Sequence, residues 1–249
     1  MAKSTNYYVR KAHRWLGIIL AVQFLAWTIS GLYFSWTDID EIHGDHLRAY
    51  PEEVLIFSDL QVLAPNELEL EKTGISTLSS VELIHTVDGV SYLVEGKSEK
   101  GEMIRAAFNG TSGELRKDIS EKYAREIGEQ FYLGDGSING TQYLTETSQD
   151  HEYRGGDLPA WQVTFDDEEQ TRFYLSAITG KLQKVRTTSW RWFDWLWMTH
   201  IMDYDERADI NNLLLRIFSV AGLVTVLSGL VLFGYTSPAL KRRKGRDAA

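Results

Sequence analysis

Two apolar stretches without a charged side chain lie near the ends of an otherwise polar chain of 249 residues. They cover 16–36 and 217–235, which are 21 and 19 residues long. A helix of about 20 apolar residues spans the hydrocarbon core of a bilayer. The pattern therefore predicts two transmembrane helices, at 16–36 and 213–235, joined by one large polar segment.

Basic residues at both ends of the chain predict its orientation. Residues 1–15 contain four basic side chains and no acid, and residues 236–249 contain five basic side chains and one acid. Positively charged flanks remain on the cytoplasmic side of a membrane, so we expect both termini in the cytoplasm. No A-x-A-like cleavage site follows Trp36, which indicates an uncleaved anchor rather than a signal peptide.

The central segment, 37–197, is strongly acidic. It holds 30 acidic and 15 basic side chains, a net charge of −15. This charge argues against nucleic acid or anionic lipid as its binding partner. A juxtamembrane segment, 198–212, follows the central segment. The chain has no cysteine and lacks G-x-S-x-G, H-E-x-x-H and Gly-rich phosphate-binding motifs. We predict no catalytic residue and expect a protein that is not catalytic alone.

The central segment contains a degenerate repeat at an offset of 67 residues. Residues 108–117 align with 175–184, each as a strand, a turn with glycine and a second strand. Between the copies, 119–132 has apolar residues at helical spacing. We predict a membrane α-helical protein with an α+β extracytoplasmic domain of two units, about 60–132 and 133–188, each a helix on an antiparallel sheet. The alternative is two unrelated β-turns.

Small residues fall near one face of each apolar helix. They are Gly17, Ala21, Thr28, Gly31 and Ser35 in the first helix, and Ala221, Gly222, Thr225, Ser228 and Gly229 in the second. Because small residues let helices approach closely in lipid, we expect the two to pack on each other, on other membrane subunits or on a second copy. The alternative is two separate lipid-facing anchors. The aromatic run at 190–197 predicts an amphipathic segment at the outer membrane interface.

Four of the six histidines lie near the predicted membrane boundaries and are candidate haem ligands. His13 precedes the first span, His43 and His46 follow it, and His200 precedes the second. Imidazoles from two helices could ligate one haem iron axially, and three could bind a divalent metal. A continuing helix would place His43 and His46 on one face, on the same outer side as His200. His13 lies about 45 Å from His43 along a straight helix, so it cannot share that iron.

Each candidate ligand also has an interpretation without a cofactor. His13 follows two basic residues and precedes a third, as interfacial residues do. The segment with His43 and His46 is a solvated acidic turn in this interpretation. His200 precedes four acidic residues at 203–209 that could bind a cation, although EF-hand spacing is absent. No role is predicted for the two remaining histidines, His85 and His151.

Several short motifs resemble the PepSY-associated transmembrane helix (PepSY-TM) family, here as a small member with two spans. The first helix begins with His13-Arg14-Trp15-Leu16-Gly17 and ends with Ser30-Gly31-Leu32-Tyr33, and the second contains Ser228-Gly229-Leu230. Trp195-Leu196-Trp197-Met198-Thr199-His200 resembles the family's juxtamembrane histidine motif, and the two repeated turns resemble the ends of PepSY units. The resemblance implies a bacterial inner-membrane protein with a periplasmic domain and b-type haem between membrane histidines.

The resemblance and the histidines together favour an accessory of haem-linked electron transfer or of (siderophore-)iron reduction and uptake. Larger family members have four spans, so we expect this chain to act with membrane lipid and other subunits around it. The alternatives are a non-catalytic envelope module that binds or regulates a partner, as peptidase-inhibiting PepSY units do, and a structural subunit of a membrane complex.

Overall fold

The computed structural model describes residues 5–49, 61–86 and 89–237. The chain divides into two compact units. The helical unit combines Met1–Thr37 with Phe193–Ala249, and the central domain is Asp38–Trp192. Within the predicted basic tail, the residues from Pro238 onward lie outside the described ranges, as does Lys3 near the N-terminus.

Two long apolar helices dominate the helical unit. α1 covers Thr5–Trp36 and α5 covers Leu213–Thr236. Both are long and apolar enough to cross a membrane. α1 begins at Thr5 rather than at the predicted residue 16, because Lys and Arg are good helix formers and continue the helix. Large apolar side chains such as Val22 and Leu223 are exposed on both helices, a surface that lipid would cover.

The small residues of α5 face α1. A Cβ atom added at Gly222 would lie 3.2 Å from the Phe24 ring, and one at Gly229 would lie 3.2 Å from His13 Cε1. The predicted packing through small residues is therefore confirmed for α5. The predicted face of α1 does not contact α5 at its two glycines, Gly17 and Gly31, where an added Cβ would have no atom within 4 Å. α1 supplies large side chains to the contact, and α5 supplies room for them.

The central domain contains two antiparallel sheets, as predicted. The first consists of β1 (Thr77–Thr86), β2 (Gly89–Lys97) and β3 (Met103–Asn109) in chain order. The second consists of β4 (Ile138–Leu144), β5 (Ala160–Phe165), β6 (Arg172–Ser176) and β7 (Leu182–Arg186), also in chain order. Three shorter helices complete the regular structure: α2 (Ile39–His43), α3 (Glu121–Phe131) and α4 (Thr188–Ile201).

The two sheets share their turn geometry. Gly113 N–H donates to Asn109 O (2.9 Å), and Gly180 N–H donates to Ser176 O (2.8 Å). Both glycines have positive φ, +74° and +75°, which glycine adopts without strain. The bulges also correspond, because the register shifts between Leu78 and Ser80 in β1 and between Ile138 and Gly140 in β4. The 67-residue offset thus marks two copies of one strand–turn arrangement.

The helix predicted for the first unit packs on the second sheet. Ala124, Ile127 and Phe131 of α3 belong to the hydrophobic cluster of the second sheet. The first sheet is covered instead by two 3₁₀ turns, Pro65–Glu67 and Leu70–Thr73, with Leu68 between them in the cluster. Glu67-Leu68-Glu69-Leu70 alternates with period two and lacks the helical period of α3, which explains the shorter turns. The structure therefore places the boundary between the units before α3, near residue 118, rather than at 132.

Gly44 combines a positive φ with a blocked side-chain position, so its replacement should destabilise the central domain. Its φ is +75°, and a Cβ there would lie 2.6 Å from Val185 Cγ1. Gly44→Ala adds backbone strain and overpacking, so we expect a loss of about 2–4 kcal/mol in thermal or denaturant unfolding of the full chain. Gly101→Ala is the matched control, since Gly101 has φ +82° but no atom within 4 Å of an added Cβ. Equal losses in the two variants would contradict the role of the Val185 contact.

Candidate functional site

Two histidine–serine pairs lie within the helical unit. His200 of α4 places Nδ1 2.7 Å from Ser30 Oγ of α1. His13 of α1 places Nδ1 2.7 Å from Ser228 Oγ of α5. Each imidazole is therefore held by a hydroxyl on a different helix, and each pair joins residues far apart in the sequence.

Each serine hydroxyl joins an imidazole to the backbone of the serine's own helix. Ser30 Oγ donates to Ala26 O (2.7 Å), and Ser228 Oγ donates to Thr225 O (2.8 Å). The same two oxygens contact Nδ1 of His200 and Nδ1 of His13. Because Nδ1 is held by a serine in both rings, Nε2 is the nitrogen that would ligate a metal ion.

The C-terminal end of α4 is fixed beside α1. Trp27 Nε1 donates to the His200 carbonyl (2.7 Å), and Gln23 Nε2 donates to the Thr199 carbonyl (3.1 Å). The Phe34 ring lies 5.6 Å from the His200 ring, edge to face. Burial lowers the pKa of His200, which keeps its imidazole neutral at pH 7. These contacts hold His200 in one orientation.

The connection after α4 adds a further restraint. Asp194, which is 4% exposed, accepts from Arg207 Nη1 (2.6 Å). Asn212 caps α5 by accepting from Leu215 N–H (2.8 Å), and its amide donates to Ile201 O (2.9 Å). The segment between α4 and α5 is thereby tied to the end of α4 that carries the histidine.

The two histidine–serine pairs are separate sites. His13 and Ser30 lie 17 residues apart on α1, which is about 26 Å at 1.5 Å per residue. Each pair therefore contains one imidazole, and the two imidazoles lie far apart along α1. Among the described residues, no second histidine is paired with either of them.

The structure places His43 and His46 in the central domain. α2 ends at His43, and Gly44 follows with φ +75°, so the helix does not continue to His46 and the predicted common face is absent. Both side chains are exposed. Across the described residues, no three His, Asp or Glu side chains are grouped to hold a metal ion, so a three-histidine metal site is not formed there.

The acidic residues after His200 have structural roles. Asp203 accepts from the backbone N–H groups of Ala208 and Asp209 at 2.9 Å each. Backbone N–H groups also lower the pKa of Asp203 against the effect of its partial burial. His151, for which no role was predicted, accepts at Nδ1 from Tyr153 N–H (3.0 Å).

The central domain contains a buried ion-pair cluster that no sequence pattern indicates. Glu152, with a side chain 11% exposed, accepts from Arg191 Nε (2.7 Å), Arg172 Nη1 (2.9 Å) and the Tyr174 hydroxyl (2.6 Å). Burial alone would raise its pKa, but the bonds from Arg191 and Tyr174 and the arginine charges lower the pKa to about 2. Glu152 therefore stays ionised and joins its loop to β6 and to the first turn of α4.

The aromatic run of α4 divides between different environments. Trp190 is buried under Arg186, whose guanidinium lies 4.0 Å from the ring centre. Phe193 and Trp197 stack with centroids 6.4 Å apart. Trp192 and Trp195 are 60% and 50% exposed. The predicted interfacial surface thus reduces to these last two side chains.

No protein-family model, curated protein or solved structure matches this chain. The similarity to the PepSY-TM family stays a prediction, and the functional conclusion depends on the geometry of the chain itself.

Proposed function

We propose that the protein is a membrane-anchored component of haem-linked electron transfer, an accessory in iron reduction or uptake. His200 and His13 would hold the haem at two separate sites. The observation that carries the proposal is the fixed position of both imidazoles, each with Nδ1 2.7 Å from a serine hydroxyl on another helix, so that Nε2 is the nitrogen that would ligate. A b-type haem held there would supply one-electron redox chemistry.

The chain's own residues prepare each imidazole for ligation. Ser30 and Ser228 hold the orientation of the two rings, as groups behind a metal ligand do. The His13 ring also packs closely against Gly229, where an added Cβ would lie 3.2 Å from Cε1. In this proposal a second ligand at either site would come from another chain.

The proposed location is the bacterial inner membrane, with α1 and α5 spanning it and the central domain in the periplasm. The exposed apolar faces of both helices support insertion, and the basic termini against an acidic centre support the orientation. A reporter enzyme inserted near residue 140 should be active in the periplasm. Activity in the cytosol would contradict this orientation.

An absorption spectrum tests the haem proposal directly. The full chain, purified in mild detergent from haem-replete cells, should show a Soret band, and split α and β bands after reduction. A colourless protein whose spectrum stays that of free hemin during hemin titration would overturn the proposal. The measurement does not depend on knowing the electron donor or acceptor.

A further inference from the structure

The fourth strand of the second sheet has only a short counterpart in the first sheet. In the second sheet, β7 pairs with β6 as far as Arg186 opposite Arg172. In the first sheet, the corresponding contact of the described residues is the bridge between Phe108 and Leu115, with hydrogen bonds from Arg116 N–H to Ala107 O (2.8 Å) and from Asn109 N–H to Glu114 O (2.9 Å). After Arg116 the chain continues toward α3 and the second sheet and no longer pairs with β3. No strand of the described residues pairs with the outer edge of β3 at 103–105.

The backbone of β3 is oriented to receive another strand at this edge. Ala107 O accepts from Arg116 on the outer side of β3. Alternate residues of a strand direct their N–H and C=O groups to the same side. Arg105 and Met103 therefore point theirs outward, and such an edge is a template for strand addition.

A cleft of about 370 Å³ lies along this edge. One wall is formed by β3 with Glu95 of β2, and the other by the loop residues Gly156, Asp157 and Leu158. The loop wall is fixed, because the Tyr153 hydroxyl donates to Asp157 O (2.6 Å) and Asp157 N–H donates to Gln183 Oε1 (2.8 Å). The cleft is thus a preformed space beside backbone groups that no strand of the described residues pairs with.

The charges of the cleft select a basic occupant. Glu95 and Asp157 both form ion pairs with Arg105, so two carboxylates share one guanidinium and the cleft keeps a net negative charge. The strand in the equivalent position of the second sheet, β7, is Leu-Gln-Lys-Val-Arg and carries Lys184 and Arg186. That strand shows which kind of segment this position of the fold accepts.

We propose that the β3 edge and its cleft bind an extended basic peptide segment of a partner protein. The segment adds as a fourth strand antiparallel to β3, as β7 adds to β6. Its backbone bonds to Met103 and Arg105, and its basic side chains face Glu95 and Asp157. This interaction surface is independent of the histidine sites and goes beyond the proposed electron-transfer role.

A peptide copied from β7 is the probe. The full chain in detergent should bind a fluorescent peptide of residues 180–188 saturably in an anisotropy titration. The same peptide with Lys181→Glu, Lys184→Glu and Arg186→Glu should bind at least about tenfold more weakly, because charge complementarity is lost. Equal binding of both peptides, or no binding of the β7 peptide, would overturn the proposal.

A proline substitution at the edge of β3 distinguishes peptide binding at this edge from binding at another surface. Met103 is the first residue of β3 and is 62% exposed, a position where proline is tolerated. Met103→Pro removes an outward N–H and should weaken binding about tenfold, whereas Met103→Ala keeps the N–H and should stay within about twofold. Equal binding by the two variants would overturn the proposal.

Amide hydrogen exchange of the unmodified protein gives a readout that needs no variant. The Met103 and Arg105 amides should exchange fast in the free protein and slowly with peptide bound. Slow exchange without peptide would show that the chain itself covers the edge. Slow exchange that depends on protein concentration would identify a second copy instead, and either result would overturn the proposal.

Discussion

Replacing His13 and His200 together by alanine should abolish the Soret absorbance of the purified protein. Each histidine supplies the only described imidazole of its site, so no neighbour can take over ligation in the same chain. Because the sites are independent, each single variant should lose about half of the bound haem. Pyridine haemochrome assays on equal amounts of folded protein give the stoichiometry.

The control for the histidine variants is the pair His85→Ala and His151→Ala, which removes two histidines of the central domain and should leave the spectrum unchanged. Ser30→Ala separates positioning from ligation, since it keeps the proposed His200 ligand but removes the hydroxyl that contacts its Nδ1. It should retain haem with a shifted reduction potential. If the double histidine variant bound a full complement of haem, neither His13 nor His200 would be a haem ligand.

Glu152→Ala should be the most destabilising single substitution in the central domain. It leaves Arg172 and Arg191 without their shared carboxylate, and breaking a buried pair from one side costs about 3–5 kcal/mol. For a domain of this size that loss corresponds to a fall in Tm of roughly 10 °C. Glu126→Ala is the matched control, because Glu126 forms only an exposed pair with Lys122 at 3.5 Å. Its expected cost is below about 1 kcal/mol.

The same carboxylate predicts a dependence of stability on pH. The pKa of Glu152 is about 2 in the folded protein, against 4.5 for the free side chain. A carboxyl whose pKa is lowered by folding stabilises the folded state at pH values above its pKa in the unfolded chain. The contribution of Glu152 is therefore complete above pH 4.5 and declines as the pH falls toward 2. Its size is on the order of 3 kcal/mol. Glu152→Gln should flatten this part of the unfolding profile, and an unchanged slope would contradict the assignment.

The sequence predicts the elements whose pattern is local. The uncharged runs locate α1 and α5, and the spacing of Ile127 and Phe131 locates α3. The glycines at 113 and 180 mark the two repeated turns, because a positive φ is a local requirement. The start of α1 is less predictable, since basic residues end an apolar run without ending a helix.

The contacts of the proposed histidine sites are not local. The Ser30–His200 and His13–Ser228 pairs join residues 170 and 215 positions apart. Ser-Gly-Leu occurs in both long helices, and this short pattern is the only sequence feature that could have drawn attention to the two serines. The sequence of an amphipathic helix indicates an apolar face but not the sheet on which that face packs. The prediction therefore assigns α3 to the first unit, whereas α3 packs on the second sheet.

Glu152 shows the same limit for charged residues. It lies in a segment rich in glycine and polar residues, where a carboxylate is normally solvated. Its burial follows from Arg172 and Arg191, which are 20 and 39 residues further along the chain. Only the three-dimensional arrangement brings those two cations to one acid.

The serine hydroxyls beside the two histidines have one more consequence. Each hydroxyl contacts a carbonyl of its own helix and an imidazole of another helix. Loss of either serine would therefore remove a link between two helices as well as a bond within one.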